Sequence, residues 1–479
     1  MKFIDLVEAV MTDVKVYQDI LNDEALFSEF TVGSGVTYFK RLESSKFKAF
    51  LRMKALEITE DEQSLNAEAA IQHIRDYYMY TEDAEKVDVY VRTVGNLEDG
   101  IEYSLKDKKQ RVVVVDKEDW NLSTQTVHKF LHSSVSKAQV VPKRCEESPI
   151  KLLKPFVNLK GNDFVLFVIW LIQAFCSGNH FALLVTAERG SGKSTISRIA
   201  RTLIEPSGAD ISYLSNKKEE LLNTLSNLYL VCFDNVRSIS KEQSDLLCSA
   251  ITKGTATKRA LFTDNDMYVQ KLHNAVLING ISAYPKESDL AERFLVVNLK
   301  KLTPDKIRCE KEFWDSFNNE LPYILGAIFN TLSKAMRCYE TLSLKNMPRM
   351  ADAFADMVAI ALALGISEEE FRTIYDDNVA KMNRLRSETP LVKAVKDLMN
   401  NSNGKRFVED TAEKTLALLK SNYTGDVNDL PADGSHLSKV IDEEHQALSE
   451  AGFRINIDDT YSDATKIKII KKKSKRNKN

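Results

Sequence analysis

The stretch that most limits what this chain can become is Phe181 to Thr195, FALLVTAERGSGKST. An apolar run of strand character meets a glycine-bearing turn, and a helical pattern begins at once and continues to Leu203. Ala187-Glu188-Arg189-Gly190-Ser191-Gly192-Lys193-Ser194 follows the phosphate-binding pattern G-x-x-x-x-G-K-[ST], with alanine at the first glycine position. Gly190 and Gly192 let the backbone turn so that N–H groups from Glu188 to Thr195 converge on phosphate oxygens. The positive end of the following helix adds to that attraction. The Lys193 ammonium suits the β- and γ-phosphates, and the Ser194 hydroxyl suits Mg²⁺. A buried strand feeding a helix in this way belongs to a parallel sheet covered by helices, so the expected class is α/β. The expected ligand is a nucleoside triphosphate, ATP, with Mg²⁺.

At 479 residues the chain exceeds one ordinary domain, and about three are expected. With 43% hydrophobic and 28% charged residues and a net charge of -3, it has ample core, which excludes fibrous and disordered classes. The overall charge does not speak of nucleic acid; its distribution does. The last fourteen residues, KIKIIKKKSKRNKN, carry eight Lys or Arg and no acid. Such a tail binds phosphate non-specifically, or is simply solvated. Six cysteines stand singly, without zinc spacing, and read as free thiols of a reducing cytoplasm. No signal peptide is read at the start. Val165 to Cys176 is apolar over only a dozen residues, short of the roughly 20 a bilayer needs. It reads as a helix buried in the core, and no membrane role is expected.

In chain order, residues 1–88 are read as a helical region, since Phe3, Leu6, Val7 and Val10 recur at helical spacing, as do residues in Ala67 to Tyr80. Tyr38 to Arg52 interleaves basic and aromatic residues, as a nucleic-acid contact or an amphipathic helix with a solvated face would. VDVYVRTVG, IEYSL and QRVVVVD then predict a small β-rich unit and linker over 89–150. Helical and strand patterns alternate over 151–345. Leu228 to Phe233 is a buried-strand run ending in Asp234-Asn235, an acid where Mg²⁺ is held in nucleotide-binding sheets. Ala275 to Gly280 is another such strand, ending in Asn279, whose amide suits orienting a water near the γ-phosphate. Arg293 follows some fourteen residues later, before the next strand. It suits either a finger supplied to a neighbouring subunit's ATP or a local salt bridge with Asp289 or Glu292. Helices are expected over 346–400, broken at Pro390. Over 401–470, helices followed by a two-strand hairpin predict a winged helix whose reader starts at Ser435, with His436 and Lys439 exposed and Asp442 to Glu444 poor neighbours for phosphate. A protein-binding winged helix fits the same pattern. Residues 471–479 form the basic tail.

AERGSGKST, LYLVCFDN, VLINGI and DLAERF, in that order, resemble the AAA+ ATPases of helicase superfamily 3. They are especially similar to replicative helicases of prophages and phage satellites, including the replication initiators of staphylococcal pathogenicity islands. The likeness covers about residues 30 to 340. It implies Walker A at Lys193 and Ser194, Walker B at Asp234, sensor 1 at Asn279 and the arginine finger at Arg293. Gly254 to Lys271 would be the pre-sensor hairpin that tracks single-stranded DNA in the channel of a ring, expected to be a hexamer. Two positions depart from the family: Asn235 replaces the usual catalytic glutamate, and the hairpin tip lacks a basic pair, leaving Lys258, Arg259 and Lys271 at its flanks. No priming domain is evident ahead of the ATPase. The resemblance implies a cytoplasmic DNA helicase and replication initiator of a mobile element, with an AAA+ core, a mixed α/β N-terminal region and a C-terminal winged helix. The rivals are a non-unwinding initiator or helicase loader, a regulatory or defence nucleotide switch, and a small-molecule phosphotransferase. A switch usually carries repeats, and none of 20–50 residues is present.

Overall fold

The computed structural model describes residues 2–479 apart from 62–64, 132–134, 188–189, 209–210, 260–266, 281–283, 304–307, 403–406, 459–464 and 473–479. The side chains of 257–259, 267–268, 387, 446 and 450 also lie outside the description. Residues 1–376 form one compact unit and 377–479 a second.

The first unit opens with α1 (Phe3–Met11), β1 (Lys15–Asp19), β2 (Leu26–Thr31), β3 (Thr37–Arg41), α2 (Ser45–Thr59), α3 (Ala67–Thr81) and β4 (Glu85–Val87). The four strands make one sheet in the order β3-β2-β1-β4, antiparallel except for β1 with β4. This corrects the expectation of a helical region over 1–88. The reason is burial on both faces. Val16, Leu26 and Phe30 pack toward the helices, while Tyr17, Phe27 and Phe39 pack with Leu131 on the other side. A strand covered on both sides loses its polar-apolar alternation, which is the signal that marks a strand in sequence. The basic and aromatic stretch from Tyr38 is therefore a strand and then a helix. Ser44 caps that helix by accepting from the Phe47 N–H at 3.3 Å.

The β-rich unit follows as β5 (Val89–Tyr90), the meander β6 (Thr93–Asn96), β7 (Gly100–Ser104), β8 (Val112–Val115) and β9 (Trp120–Ser123), and β10 (Lys129–Phe130) beside β5. It is welded to what comes after rather than tethered. The buried Arg92 guanidinium donates to the carbonyls of Ser104 and Lys137 at 2.9 Å and of Pro206 at 3.3 Å. Trp120 donates to Asn330 at 2.7 Å.

Then come α4 (Pro149–Leu153), α5 (Gly161–Gln173), β11 (Ala182–Ala187), α6 (Lys193–Ile204), α7 (Lys218–Asn227), β12 (Leu230–Phe233) and α8 (Lys241–Ile251). The hairpin β13 (Thr255–Arg259) and β14 (Met267–Lys271) precedes β15 (Ala275–Gly280), α9 (Ser288–Ala291) and β16 (Phe294–Leu299). The central sheet is parallel throughout, in the order β12-β15-β11-β16. A parallel bridge from Ser212 to Phe233 adds the start of a further strand outside β12. All residues of β12 and β15 are buried, as strands covered by helices on both faces require. The apolar segment from Val165 is the buried helix α5, whose Trp170 indole donates to the Phe181 carbonyl at 2.8 Å. Among the described residues, no helix is long and apolar enough to cross a membrane. The long α10 (Glu310–Glu340) packs on α11 (Ala351–Ala363), and α12 (Glu368–Ser387) carries the chain into the second unit. The expected 346–400 connector is therefore shared between two units.

The second unit contains α13 (Pro390–Asn401), β17 (Phe407–Thr411), α14 (Ala412–Asn422), α15 (Gly434–Glu443), α16 (His445–Glu450), β18 (Phe453–Asp458) and β19 (Lys466–Lys471). Pro390 starts α13 rather than breaking a helix, with Thr389 accepting from Val392 N–H at 3.1 Å. The strands form one antiparallel sheet in the order β17-β19-β18. Strand β17 had no counterpart in the sequence reading. Leu416, Leu437, Ile441, Ile467 and Ile469 fill the core between helices and sheet.

Candidate nucleotide site

Strand β11 delivers the chain to the glycine turn at the carboxyl edge of the central sheet. Gly190 and Gly192 have φ of +78° and +88°, a backbone region glycine enters without penalty. Gly192 is the N-cap of α6, and no side chain caps that helix end, so its first N–H groups face outward. Lys193 donates to the Ala187 carbonyl at 3.3 Å, which folds its side chain back over the turn. Glu188 and Arg189 lie outside the described residues.

Two adjacent strands bring their polar ends to the same edge. Ser194 Oγ donates to Asp234 Oδ2 at 3.0 Å, joining residues forty apart in sequence. Asn235 sits at φ +55°, and its backbone N–H donates to Asp234 Oδ1 at 2.9 Å. Asn279 is fully buried and donates from Nδ2 to the Lys193 carbonyl at 3.1 Å and to Ser197 Oγ at 2.5 Å. Its carbonyl Oδ1 is buried with no hydrogen-bond partner among the described residues. The Asn279 backbone carbonyl accepts from the Val236 N–H at 3.0 Å. Lys193, Ser194, Asp234 and Asn279 thus form one connected group.

The far end of α6 is fixed as firmly as its start. The buried Glu205 carboxylate accepts from Tyr229 N–H at 2.8 Å and Leu230 N–H at 2.9 Å, with Arg201 beside it at 3.4 Å. A buried ion pair of this kind adds little net stability but holds α6 and β12 in one register.

Sequence reasoning missed the cavity next to the turn. It measures about 570 Å³ and is lined by Phe156, Asn158, Leu302, Phe313 and Trp314 together with Ser191 and Gly192. Asn158 closes it against the turn, donating to Lys300 O at 2.6 Å and Ser191 O at 3.3 Å. The size and the aromatic walls suit a flat heterocycle. Pro155 and the aromatic run from Phe313 stand far from the motifs in sequence, so no spacing rule links them.

Arg293 lies at the opposite edge. Its carbonyl accepts from Ala182 N–H at the start of β11, so a six-residue strand, about 20 Å at 3.3 Å per residue, separates it from the turn. It cannot reach the phosphate turn of its own chain. Its guanidinium is mostly covered, paired with Asp289 and 3.4 Å from Cys248 Sγ. The local salt bridge is therefore present. Arg349 shares Asp289 and also meets Glu292 at 3.2 Å. Burial pushes the Cys248 thiol up to about 11, which keeps it protonated at neutral pH.

The hairpin pairs Thr255 with Lys271 and Arg259 with Met267, and leaves the core at this same amino edge. Its tip, and the side chains of Lys258 and Arg259, lie outside the described residues. Lys271 is engaged elsewhere, 2.8 Å from Asp88 and 5.3 Å from the Tyr90 ring centroid. Ser435, His436 and Lys439 are exposed along one side of α15, with Asp433 capping it at 2.8 Å from the His436 N–H. Among the described residues, no group of three or more His, Cys, Asp or Glu could hold a metal by itself.

A strand–turn–helix unit at the carboxyl edge of a parallel sheet places the protein in the α/β class. Residues 150–380 match the family described as actinomycete integrative conjugative element replication protein. This segment is therefore similar to a replication protein of a mobile element. No curated protein matches the chain. Among solved structures, the A form apo structure of the NrS-1 C-terminal region is 12% identical, covers 98% of both chains and gives a TM-score of 0.39. A second apo structure of that region is 11% identical, with 98% of both chains covered and a TM-score of 0.37. Those scores are too low for a shared overall fold to follow.

Proposed function

We propose that this chain is an ATP-hydrolysing replication protein of a mobile element, built on an AAA+ core with a C-terminal winged helix, which assembles as a ring and moves on DNA. The observation that carries the nucleotide reading is the bond between Ser194 and Asp234. A hydroxyl and a carboxylate 3.0 Å apart beside a phosphate turn are the donor set that a magnesium ion shared with phosphate oxygens requires. Ser194 and Asp234 would hold the ion, which when bound supplies positive charge against the phosphates. Lys193 exchanges the Ala187 carbonyl for a phosphate oxygen. The unpartnered Oδ1 of Asn279 is an acceptor for the attacking water. Asn235 can orient a water but has no basic atom to take its proton, which leaves Asp234 as the nearest carboxylate.

The placement of Arg293 supports assembly. An arginine 20 Å or so from its own site acts on phosphate only in a neighbouring copy, by leaving Asp289. The parallel order β12-β15-β11-β16 with the Ser212 bridge outside β12, and the hairpin entering between α8 and β15, agree with the superfamily 3 resemblance.

The test is ATP-dependent strand displacement on a forked duplex, with ATPase rates measured alongside. The wild-type chain is expected to separate strands. Lys193→Ala should lose nucleotide binding, and Arg293→Ala should bind ATP yet hydrolyse it about a thousandfold more slowly. DNA-stimulated hydrolysis without strand separation would move the chain to the loader reading. Hydrolysis indifferent to DNA would favour a nucleotide switch.

A further inference from the structure

We propose that the outer face of the three-stranded sheet in the second unit, at the end where β19 finishes, binds single-stranded nucleic acid. The helix pattern had pointed to α15 as the reader. That helix exposes Lys439 and His436 beside Asp442 and Glu443, a balance that gives phosphate little reason to approach.

The sheet is charged differently. Residues 453, 455, 467 and 469 point into the core, so their neighbours along each strand form the outer face. The register sets three rows across β17, β19 and β18: Phe407–Ile470–Arg454, then Glu409–Lys468–Asn456, then Thr411–Lys466–Asp458. The first row ends at Arg454, and Lys472 follows Ile470 on the same side of the chain, both exposed, while Lys471 pairs with Phe453 and alternates to the other side. Lys472 is steadied 2.6 Å from Ser449 Oγ. On the described outer face, acid enters toward the other end, with Asp458 in the third row and with Glu409, which Lys468 neutralises at 2.6 Å. The positive charge is thus gathered at one end of the sheet.

Phe407 decides the kind of nucleic acid. It is 52% exposed on a strand, with Ile470 beside it and the Lys468 ammonium 4.8 Å from its ring centroid. An open aromatic ring next to cations is a stacking platform for a base, and only a strand whose bases are unpaired offers one. The row Phe407–Ile470–Arg454 places a base contact and a phosphate contact on either side of β19, two strand spacings apart.

The assignment is tested with the full chain and no nucleotide, so its outcome is separate from that of the ATPase reading. Anisotropy of a labelled oligothymidine and of a duplex of equal length is followed across salt. Arg454→Glu with Lys472→Glu should weaken single-strand binding roughly tenfold or more and flatten its salt dependence. Phe407→Ala should cost roughly tenfold on the single strand and little on the duplex. The charge-keeping pair Arg454→Lys with Lys472→Arg should bind as wild type, which separates lost contacts from lost folding. Wild-type affinity in the charge-reversed protein overturns the proposal. So does equal weakening of duplex and single strand by Phe407→Ala, and so does a loss confined to His436→Ala with Lys439→Ala.

Discussion

Asp356 is buried against Gln173 and Gly178, on the side of α11 that packs on α5. Burial, with the charge of Asp352 added, pushes its carboxyl from the ordinary 3.8 up to about 7. The folded protein therefore keeps a proton that the unfolded chain releases, and stability falls as pH rises between those two values. Asparagine copies the protonated acid without its titration. Asp356→Asn should match wild type near the acid end of that window and melt at a higher temperature above it. All three tryptophans, Trp120, Trp170 and Trp314, lie in the first unit, so their fluorescence reports its melting alone. Identical pH dependence in the two proteins would show that Asp356 does not titrate as described. The buried His180 and the half-buried His273 act in the opposite sense. Burial lowers both, His273 to about 3, so each costs stability as the pH falls below the ordinary 6.5.

At the scale of elements, α10 depends on one residue with no side chain. A Cβ on Gly326 would stand 1.7 Å from the Lys143 carbonyl, because the chain from the β-rich unit crosses the helix there. The crossing is fixed by the Lys143 N–H bonding to the Pro322 carbonyl at 2.9 Å. That carbonyl faces Gly326 along the helix, so the chain and the helix compete for the same small space. Gly326→Ala should gain helix propensity of about 1 kcal/mol and lose more through the clash, for a net loss of roughly 2–4 kcal/mol. A melting temperature equal to or above wild type would show that the crossing chain yields without cost. The same element explains why the expected linker is no tether: the segment before α4 is held along α10, with Asn330 donating to the Cys145 carbonyl at 2.7 Å.

For the whole molecule, the prediction concerns two defective proteins mixed together. Lys193→Ala keeps Arg293, and Arg293→Ala keeps the phosphate turn. If the site is completed between copies, each protein alone should be inactive and the mixture active. In a random ring about a quarter of the interfaces pair an intact turn with an intact arginine. A mixture no more active than its parts would return Arg293 to its bond with Asp289 as a structural residue.

The order of the elements from Ala182 to Leu299 could be read from the sequence, because fully buried strands and a glycine turn leave unmistakable local patterns. Lys193, Ser194, Asp234 and Asn279 were legible for the same reason, as polar residues ending apolar runs. The strands β1 to β3 were not, since burial on both faces removes alternation. Neither was β17, whose five residues are strand only because β19 offers them a partner. Tertiary structure alone decided that Lys271 meets Asp88, that Arg293 faces away from its own nucleotide turn, and that Phe156, Asn158 and Trp314 wall the cavity beside it. Each of these depends on which distant segments packing brings together, and that distance in space is not written in spacing along the chain.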